Sequence, residues 1–305
     1  MFTRSLTPLN SSFFLFGPRG TGKSTWIQQH FPEVKTYDLL NRSLVLELSR
    51  NPSKLYEECS LLPNNAWVVI DEVQKVPELL DEVHRLIEQR KLRFILSGSS
   101  ARKLKQAGIN LLAGRAITQH LYPLTSKEVD FAINISDRLV YGMLPVAFTS
   151  EDPKPYLRTY VETYLSEEIK AEALTRNIGN FSRFLEIAAR NNAQTVNSTN
   201  VSRDAQVARQ TVDSYYDILI DTLVGFRLPA WKKKSATRQR SLSKFYFFDA
   251  GVARALSERL PYPPTHEELG PLFETFIIQE LKAYLAYTNK HYPLHYWSKH
   301  VGGGG

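Results

Sequence analysis

The stretch GPRGTGKS, residues 17–24, constrains this chain more than any other feature of its sequence. It matches the pattern G-x-x-x-x-G-K-[ST] at every fixed position. The preceding residues 12–16, SFFLF, predict a short buried strand, and residues 24–29 predict the first turns of a helix. A strand, a glycine-rich turn and a helix in this order are what the pattern requires, so the match predicts a phosphate-binding loop.

The chemistry of this loop follows from its backbone. Glycines allow successive N–H groups to turn inward around an anion, and the helix that follows directs its positive end to the same point. We expect Lys23 to neutralise charge on β- and γ-phosphates and the Ser24 hydroxyl to bind Mg²⁺. The predicted nucleotide-binding residues of the loop are Gly17, Pro18, Arg19, Gly20, Thr21, Gly22, Lys23, Ser24 and Thr25.

A second motif, WVVIDE at residues 67–72, is an apolar strand that ends in two carboxylates. This is the Walker B pattern, in which Asp71 is expected to hold Mg²⁺ and Glu72 to act as general base on the attacking water. Taken alone, the motif equally fits a buried strand followed by an acidic turn. Its occurrence after a phosphate-binding loop favours the catalytic interpretation, with ATP and Mg²⁺ as the ligands.

Buried strands are predicted near residues 12, 34, 66, 92 and 116, with helices between them. The sequence therefore predicts an α/β fold, a five-stranded parallel αβα P-loop sandwich. Strand C-termini form the ligand edge of a parallel sheet, which brings Ser97 or Ser99 to a position that senses the γ-phosphate or the attacking water. A Gly/Ser turn that only caps the next helix explains these two serines equally well.

Composition narrows the class of protein. A chain of 305 residues with 43% hydrophobic and 23% charged residues predicts a folded protein with more than one domain. The single cysteine, Cys59, excludes an internal disulfide, and no apolar run approaches the ~18 residues of a membrane span. These features predict a cytoplasmic protein without a membrane partner. A net charge of +7 fits an acidic partner or a solvated basic surface equally well.

The first 150 residues resemble the AAA+ ATPases, and more narrowly a bacterial and archaeal family of predicted ATPases. The resemblance rests on FGPRGTGKST, VVIDEVQKVPELL, FILSGSSARKL, LLAGRAITQHLYPLTSKE and YGMLPVAF. It implies an ATPase core over residues 1–150 and gives Arg115 the role of a sensing or trans-acting arginine, which leaves oligomerisation open. From the residues alone, Arg115 is equally a structural residue at a helix end, and Arg19 is expected to face solvent beside the nucleotide.

The resemblance also implies a winged-helix segment, which fits residues 151–260. A short helix, a turn and a longer helix are predicted over residues 201–223, with wing strands at residues 226–231 and 244–248. The longer helix has Asp213, Asp217 and Asp221 on its outer face, which disfavours DNA and fits a protein partner. The predicted wing instead contains six cations within thirteen residues and no acid: Lys232, Lys233, Lys234, Arg238, Arg240 and Lys244. These predict either non-specific DNA contact or a solvated loop.

Residues 261–305 resemble the start of the family's C-terminal endonuclease-like domain, in LGPLFETFIIQELKAYL. The acidic strand that would supply clustered carboxylates is not found before the chain ends in HYWSKHVGGGG, so we expect a truncated α/β segment without nuclease activity. Glu274 and Glu280 do not replace that strand. The origin of Gly302–Gly305 stays open.

Two functions follow from these observations. The first is a Mg²⁺-dependent, slowly hydrolysing switch or motor ATPase. The second is a nucleotide-regulated DNA-binding protein with negligible turnover. A small-molecule phosphotransferase fits less well, because no arginine-rich lid segment lies between the Walker B strand and the next strand. The preference for ATP over GTP, the pathway and the oligomeric state stay open.

Overall fold

The computed structural model describes residues 2–100, 104, 115–165, 178–231 and 243–297. The chain divides into two compact units, one of residues 1–131 with 221–223 and the other of residues 132–220 with 224–305. The main boundary between the two units lies near residue 131. The three domains expected at residues 1–150, 151–260 and 261–305 remain a prediction.

The first unit contains a sheet of five strands, β1 (Phe13–Phe16), β2 (Lys35–Asp38), β3 (Trp67–Asp71), β4 (Arg93–Gly98) and β5 (Ile117–His120). Their order in the sheet is β2-β3-β4-β1-β5. All four pairings between neighbouring strands are parallel. The predicted five-stranded parallel sheet is therefore confirmed. Although β2 follows β1 along the chain, β4 separates β1 from β3 in space.

Helices cover this sheet, which explains why its central strands are continuous apolar runs. All four residues of β1 are buried, as expected for a strand covered on both faces. The apolar side of the fourth helix buries Leu79, Leu80, Val83 and Leu86. The helices of this unit are α1 (Lys23–His30), α2 (Arg42–Arg50), α3 (Ser53–Cys59) and α4 (Leu79–Arg90), with short 3-10 turns at Val73–Lys75 and Lys127–Val129.

The second unit is mainly helical. A π-helical segment, Tyr160–Leu165, follows directly after the helix Pro153–Thr159. The described helices are α5 (Ile135–Tyr141), α6 (Pro145–Thr149), α7 (Pro153–Thr159), α8 (Ile178–Arg190), α9 (Ser198–Ala205), α10 (Arg209–Asp221), α11 (Ala250–Leu256) and α12 (His266–Tyr287).

The predicted helix–turn–helix corresponds to α9 and α10, joined through Gln206 in a left-handed conformation. Two antiparallel strands follow, β6 (Gly225–Leu228) and β7 (Lys244–Phe247). The buried face of helix α10 consists of Val212, Tyr215, Tyr216, Ile218 and Leu219. The element order is the one that a winged helix requires, and that assignment remains a prediction. No helix within the described ranges is long and apolar enough to cross a membrane.

Candidate nucleotide-binding site

The glycine-rich loop connects β1 to α1 at the C-terminal edge of the sheet. Gly20 and Gly22 have φ angles of 80° and 91°, in the left-handed region that glycine adopts without strain. Gly22 is the N-cap of α1, so the positive end of the helix begins at the loop. The backbone of residues 17–24 therefore has the conformation expected of a phosphate cradle.

Lys23 is held over the loop rather than extended into solvent. Its side chain is buried, and Nζ donates to the carbonyl oxygens of Gly17 at 2.8 Å and Pro18 at 3.3 Å. Thr21 is also buried, and its hydroxyl donates to Pro18 O at 2.9 Å. The ammonium group thus lies within the loop that it is expected to serve.

The Walker B aspartate meets the loop directly. The Ser24 hydroxyl donates to Asp71 Oδ2 at 2.8 Å, although the two residues are 47 positions apart in sequence. Asp71 Oδ1 accepts from the Ser97 hydroxyl and from the backbone N–H of Glu72, the latter at 3.1 Å. A hydroxyl and a carboxylate oxygen side by side are hard ligands that fit Mg²⁺, which uses few protein ligands and completes its shell with phosphate and water.

Glu72 follows β3 in a left-handed conformation, with φ 58° and ψ 45°, which is uncommon for a residue with a side chain. Its Oε2 accepts from the backbone N–H of Ser99 at 3.3 Å and from the Ser99 hydroxyl at 3.1 Å. Conformations of this kind concentrate at functional sites, where surrounding contacts maintain them. The structure thus brings both predicted serines to the acids, Ser97 to Asp71 and Ser99 to Glu72.

Gln74 belongs to the same cluster and was not predicted from the sequence. Its Nε2 donates to Glu72 Oε2 and to the Ser99 hydroxyl, the latter at 3.2 Å. Its buried Oε1 has no hydrogen-bond partner among the described residues. The signal in the sequence was a glutamine two positions after Glu72, and the short 3-10 turn at Val73–Lys75 directs it back towards the acid.

Arg115 lies elsewhere. It precedes β5, whose first residue, Ile117, is in register with Phe13 at the start of β1. Arg115 is therefore at the N-terminal edge of the sheet, away from the phosphate loop. Its Nε pairs with Glu88 Oε1, and this hydrogen bond lowers the pKa of the Glu88 carboxyl. The structure does not bring Arg115 to the site of its own subunit. Within the loop, Arg19 is half-buried and Thr25 is exposed on the first turn of α1.

Of the predicted basic run, only Lys244 lies within the described chain, and Lys232, Lys233, Lys234, Arg238 and Arg240 lie outside it. Lys244 Nζ pairs with both carboxylate oxygens of Glu274, at 2.7 and 2.9 Å. The Tyr246 hydroxyl also donates to Glu274 at 2.6 Å, while burial raises the Tyr246 pKa. Glu274 thus stabilises the packing of α12 in this unit. On α10, Asp213 and Asp217 are exposed and Asp221 is half-buried.

Residues 10–130 match the family model described as AAA domain, and residues 133–261 match a model described as Domain of unknown function (DUF8612). An uncharacterized protein of Mycobacterium tuberculosis is 29% identical over 295 residues, which are 93% of this chain and 64% of that protein. An uncharacterized protein of Haemophilus influenzae is 23% identical over 206 residues, covering 62% of this chain and 52% of its own length. The chain thus spans less than two thirds of the length of these relatives.

Two solved structures align over much of the chain. The Orc1 protein of Aeropyrum pernix in complex with DNA is 13% identical, covers 81% of this chain and 86% of its own, and has a TM-score of 0.29. The replication initiator DnaA, bound to AMPPCP and single-stranded DNA, is 12% identical to this chain and has a TM-score of 0.31. The alignment covers 70% of this chain and 83% of the DnaA chain. Scores this low do not establish a common fold over the aligned lengths. The match over residues 10–130 agrees with the parallel sheet and the glycine-rich loop, and it identifies this part of the chain as similar to the AAA domains of P-loop ATPases.

Proposed function

We propose that this protein is a Mg²⁺-dependent ATPase that hydrolyses ATP slowly and acts as a switch or motor on a partner protein or nucleic acid. One observation carries the proposal. The Ser24 hydroxyl lies 2.8 Å from Asp71 Oδ2, which joins the phosphate loop to the acidic tip of β3. The AAA domain match over residues 10–130 supports it further.

The phosphate loop would bind the triphosphate. The N–H groups of residues 20–24 and the positive end of α1 favour an anion at this position. Lys23 would exchange its bonds to Gly17 O and Pro18 O for the β- and γ-phosphate oxygens, since these are stronger, charge-assisted partners. Ser24 and Asp71 would hold Mg²⁺, which supplies charge neutralisation between the phosphates.

Glu72 would act on the attacking water. Its carboxylate would accept a proton as the water oxygen bonds to the γ-phosphorus and the bond to the β,γ-bridging oxygen breaks, giving ADP and phosphate. Ser99 and Gln74 donate to Glu72 Oε2 and so orient the carboxylate. Since Arg115 lies at the other edge of the sheet, any contact between Arg115 and the γ-phosphate would come from a neighbouring subunit.

Phosphate release by the purified chain in ATP and Mg²⁺ tests this function. We expect slow turnover by the wild type, and a rate lower by ~10²–10⁴ in Glu72→Gln with ATP binding retained, because the variant loses only its proton acceptor. Glu57→Gln is the matched control, since Glu57 is an exposed glutamate of the same unit. Normal turnover by Glu72→Gln would contradict the assignment of the base. MgATP binding without turnover by the wild type would favour a nucleotide-regulated binding protein instead.

We propose in addition that the basic run contacts nucleic acid through phosphates only. Six cations and no acid within residues 232–244 support this, although Lys244 is occupied by Glu274. Fluorescence anisotropy with duplex DNA at two salt concentrations tests it. We expect the logarithm of the affinity to fall with the logarithm of salt concentration, with a slope of about 0.9 per neutralised phosphate. An affinity that does not change with salt would refute phosphate contact by this run.

A further inference from the structure

Arg4 lies against the phosphate loop, although no motif in the sequence includes it. Its Nη1 donates to the carbonyl oxygen of Thr21 at 2.6 Å, and its Nη2 donates to Tyr122 O at 2.6 Å. The Arg4 side chain is only 5% exposed. One guanidinium group therefore joins the middle of the loop to the segment that follows β5.

A buried carboxylate holds Arg4 in this position. Glu128 has no exposed side-chain surface, and its Oε1 lies 3.2 Å from Arg4 Nε. The same carboxylate accepts from the backbone N–H of Ser5 at 2.7 Å and from that of Thr125 at 3.0 Å. A buried ion pair needs further hydrogen bonds to its charged groups, and Ser5 and Thr125 supply them to the carboxylate while Thr21 O and Tyr122 O accept from the two terminal guanidinium nitrogens. Glu128 ends the PLTSKE stretch, whose role the ATPase motifs do not explain.

The contact with Thr21 bears directly on the loop. Thr21 lies between Gly20 and Gly22, the two glycines of this loop that have positive φ, so the backbone at this point has unusual freedom. In a planar trans peptide the C=O and the following N–H point in opposite directions. A bond that fixes Thr21 C=O towards Arg4 therefore directs the Gly22 N–H away from Arg4. The guanidinium also comes close to Gly22, with Nη1 3.7 Å from the point where a Cβ would lie.

We propose that Arg4, held by Glu128, is a positioning residue for the nucleotide: it fixes the Thr21–Gly22 peptide so that the Gly22 N–H is oriented before the phosphate arrives. This inference rests on the proposed function, because it concerns the same phosphate site. Preorganised donors bind more tightly, since no free energy is then spent on ordering the loop when the ligand binds. Arg4 itself acts through the backbone and is not a catalytic residue.

Isothermal titration of the full chain with MgATP, well below the unfolding temperature, tests the proposal. Arg4→Lys keeps the positive charge but has no fork to bridge Thr21 O and Tyr122 O. We expect its Kd to rise roughly 10-fold, a factor typical of losing about one oriented hydrogen bond. Glu128→Gln, which keeps the shape of the side chain, is expected to raise the Kd likewise. The double variant should lose less binding free energy for MgATP than the sum of the two single variants, because Glu128 acts through Arg4. Arg85→Lys, at an exposed arginine paired with Glu82, is the control and should bind like the wild type.

Thermal unfolding without nucleotide separates positioning from mere support of the fold. A fold-supporting pair would lower the Tm and leave the Kd of the folded protein unchanged. If Arg4→Lys and Glu128→Gln bind MgATP as tightly as the wild type, the inference is overturned while the proposed function stands. If the wild type itself does not bind MgATP, the proposed function is overturned, and this inference with it.

Discussion

Replacing Gly17 by alanine tests the geometry of the phosphate loop at its tightest point. A Cβ on Gly17 would lie 2.3 Å from the backbone oxygen of Leu121 and 3.2 Å from the Thr21 hydroxyl oxygen. Leu121 is itself fixed, because its N–H donates to Phe16 O at 2.7 Å. The new methyl group therefore cannot be accommodated by rotating a side chain, and the backbone of the loop or of the segment after β5 must move.

The size of the effect follows from this contact. Since carbon and oxygen atoms pack at about 3.4 Å or more, the loop must shift by about 1 Å. Overpacking on this scale lowers the free energy of unfolding by about 1–3 kcal/mol. A displacement of about 1 Å at a reacting group costs ~10² in rate, and we expect a similar loss in turnover here.

Three measurements on the purified variant test this prediction: denaturant unfolding, MgATP titration and phosphate release. Gly270→Ala is the matched control, because a Cβ at Gly270 would meet no atom within 4 Å and the position lies on α12 in the other unit. We expect nucleotide affinity and turnover of Gly270→Ala to equal those of the wild type. If the free energy of unfolding, the MgATP affinity and the turnover of Gly17→Ala equal those of the wild type, the close approach of the loop to Leu121 is not required for function.

Three further predictions concern other parts of the molecule. Gln74→Leu should lower turnover by at least about 10-fold with MgATP affinity unchanged, because Gln74 orients Glu72 and does not contact the loop; equal turnover in the phosphate-release assay would exclude that role. Arg115→Ala should leave the affinity for MgATP unchanged. A large loss of MgATP affinity in this variant would place Arg115 in the site of its own subunit. Asp249 is fully buried, and burial raises its pKa to about 6. The folded protein therefore holds this proton more tightly than the unfolded chain, whose Asp249 pKa is about 4. The resulting stabilisation is complete below about pH 4 and is lost as the pH rises through about 6. Between about pH 4 and 6, the free energy of unfolding of the wild type should therefore fall by about 1.4 kcal/mol per pH unit relative to that of Asp249→Asn. If the difference between the two proteins in denaturant unfolding does not change with pH, the pKa of Asp249 is not raised in the folded protein.

The sheet and the phosphate loop are predictable because their signals are local. A run such as FFLF or VVI must be covered on both faces, and only a glycine-rich turn into a helix supports the conformation of residues 17–24. Even the pairing of Ser24 with Asp71 follows, because parallel strands present their C-termini at one edge. A sequence pattern of this strength predicts both the fold of the first unit and the centre of its site.

Contacts between distant segments explain what the sequence did not reveal. Gln74 reaches Ser99 across 25 positions, and Arg4 reaches Tyr122 across 118, so no periodicity or motif links either pair. The position of Arg115 depends on the register of β5 against β1, and a short strand does not specify its register from sequence alone.

Titration of MgATP into the full chain, the Lys23→Ala variant and the Lys75→Ala variant shows whether residues 17–24 form a nucleotide site. Lys23 is buried in the loop, whereas Lys75 is an exposed lysine shortly after the Walker B acids and serves as the control. We expect the wild type and Lys75→Ala each to bind one molecule of MgATP per chain, and Lys23→Ala to show no measurable binding. Equal binding by all three proteins, or no binding by the wild type, would contradict a nucleotide site at residues 17–24.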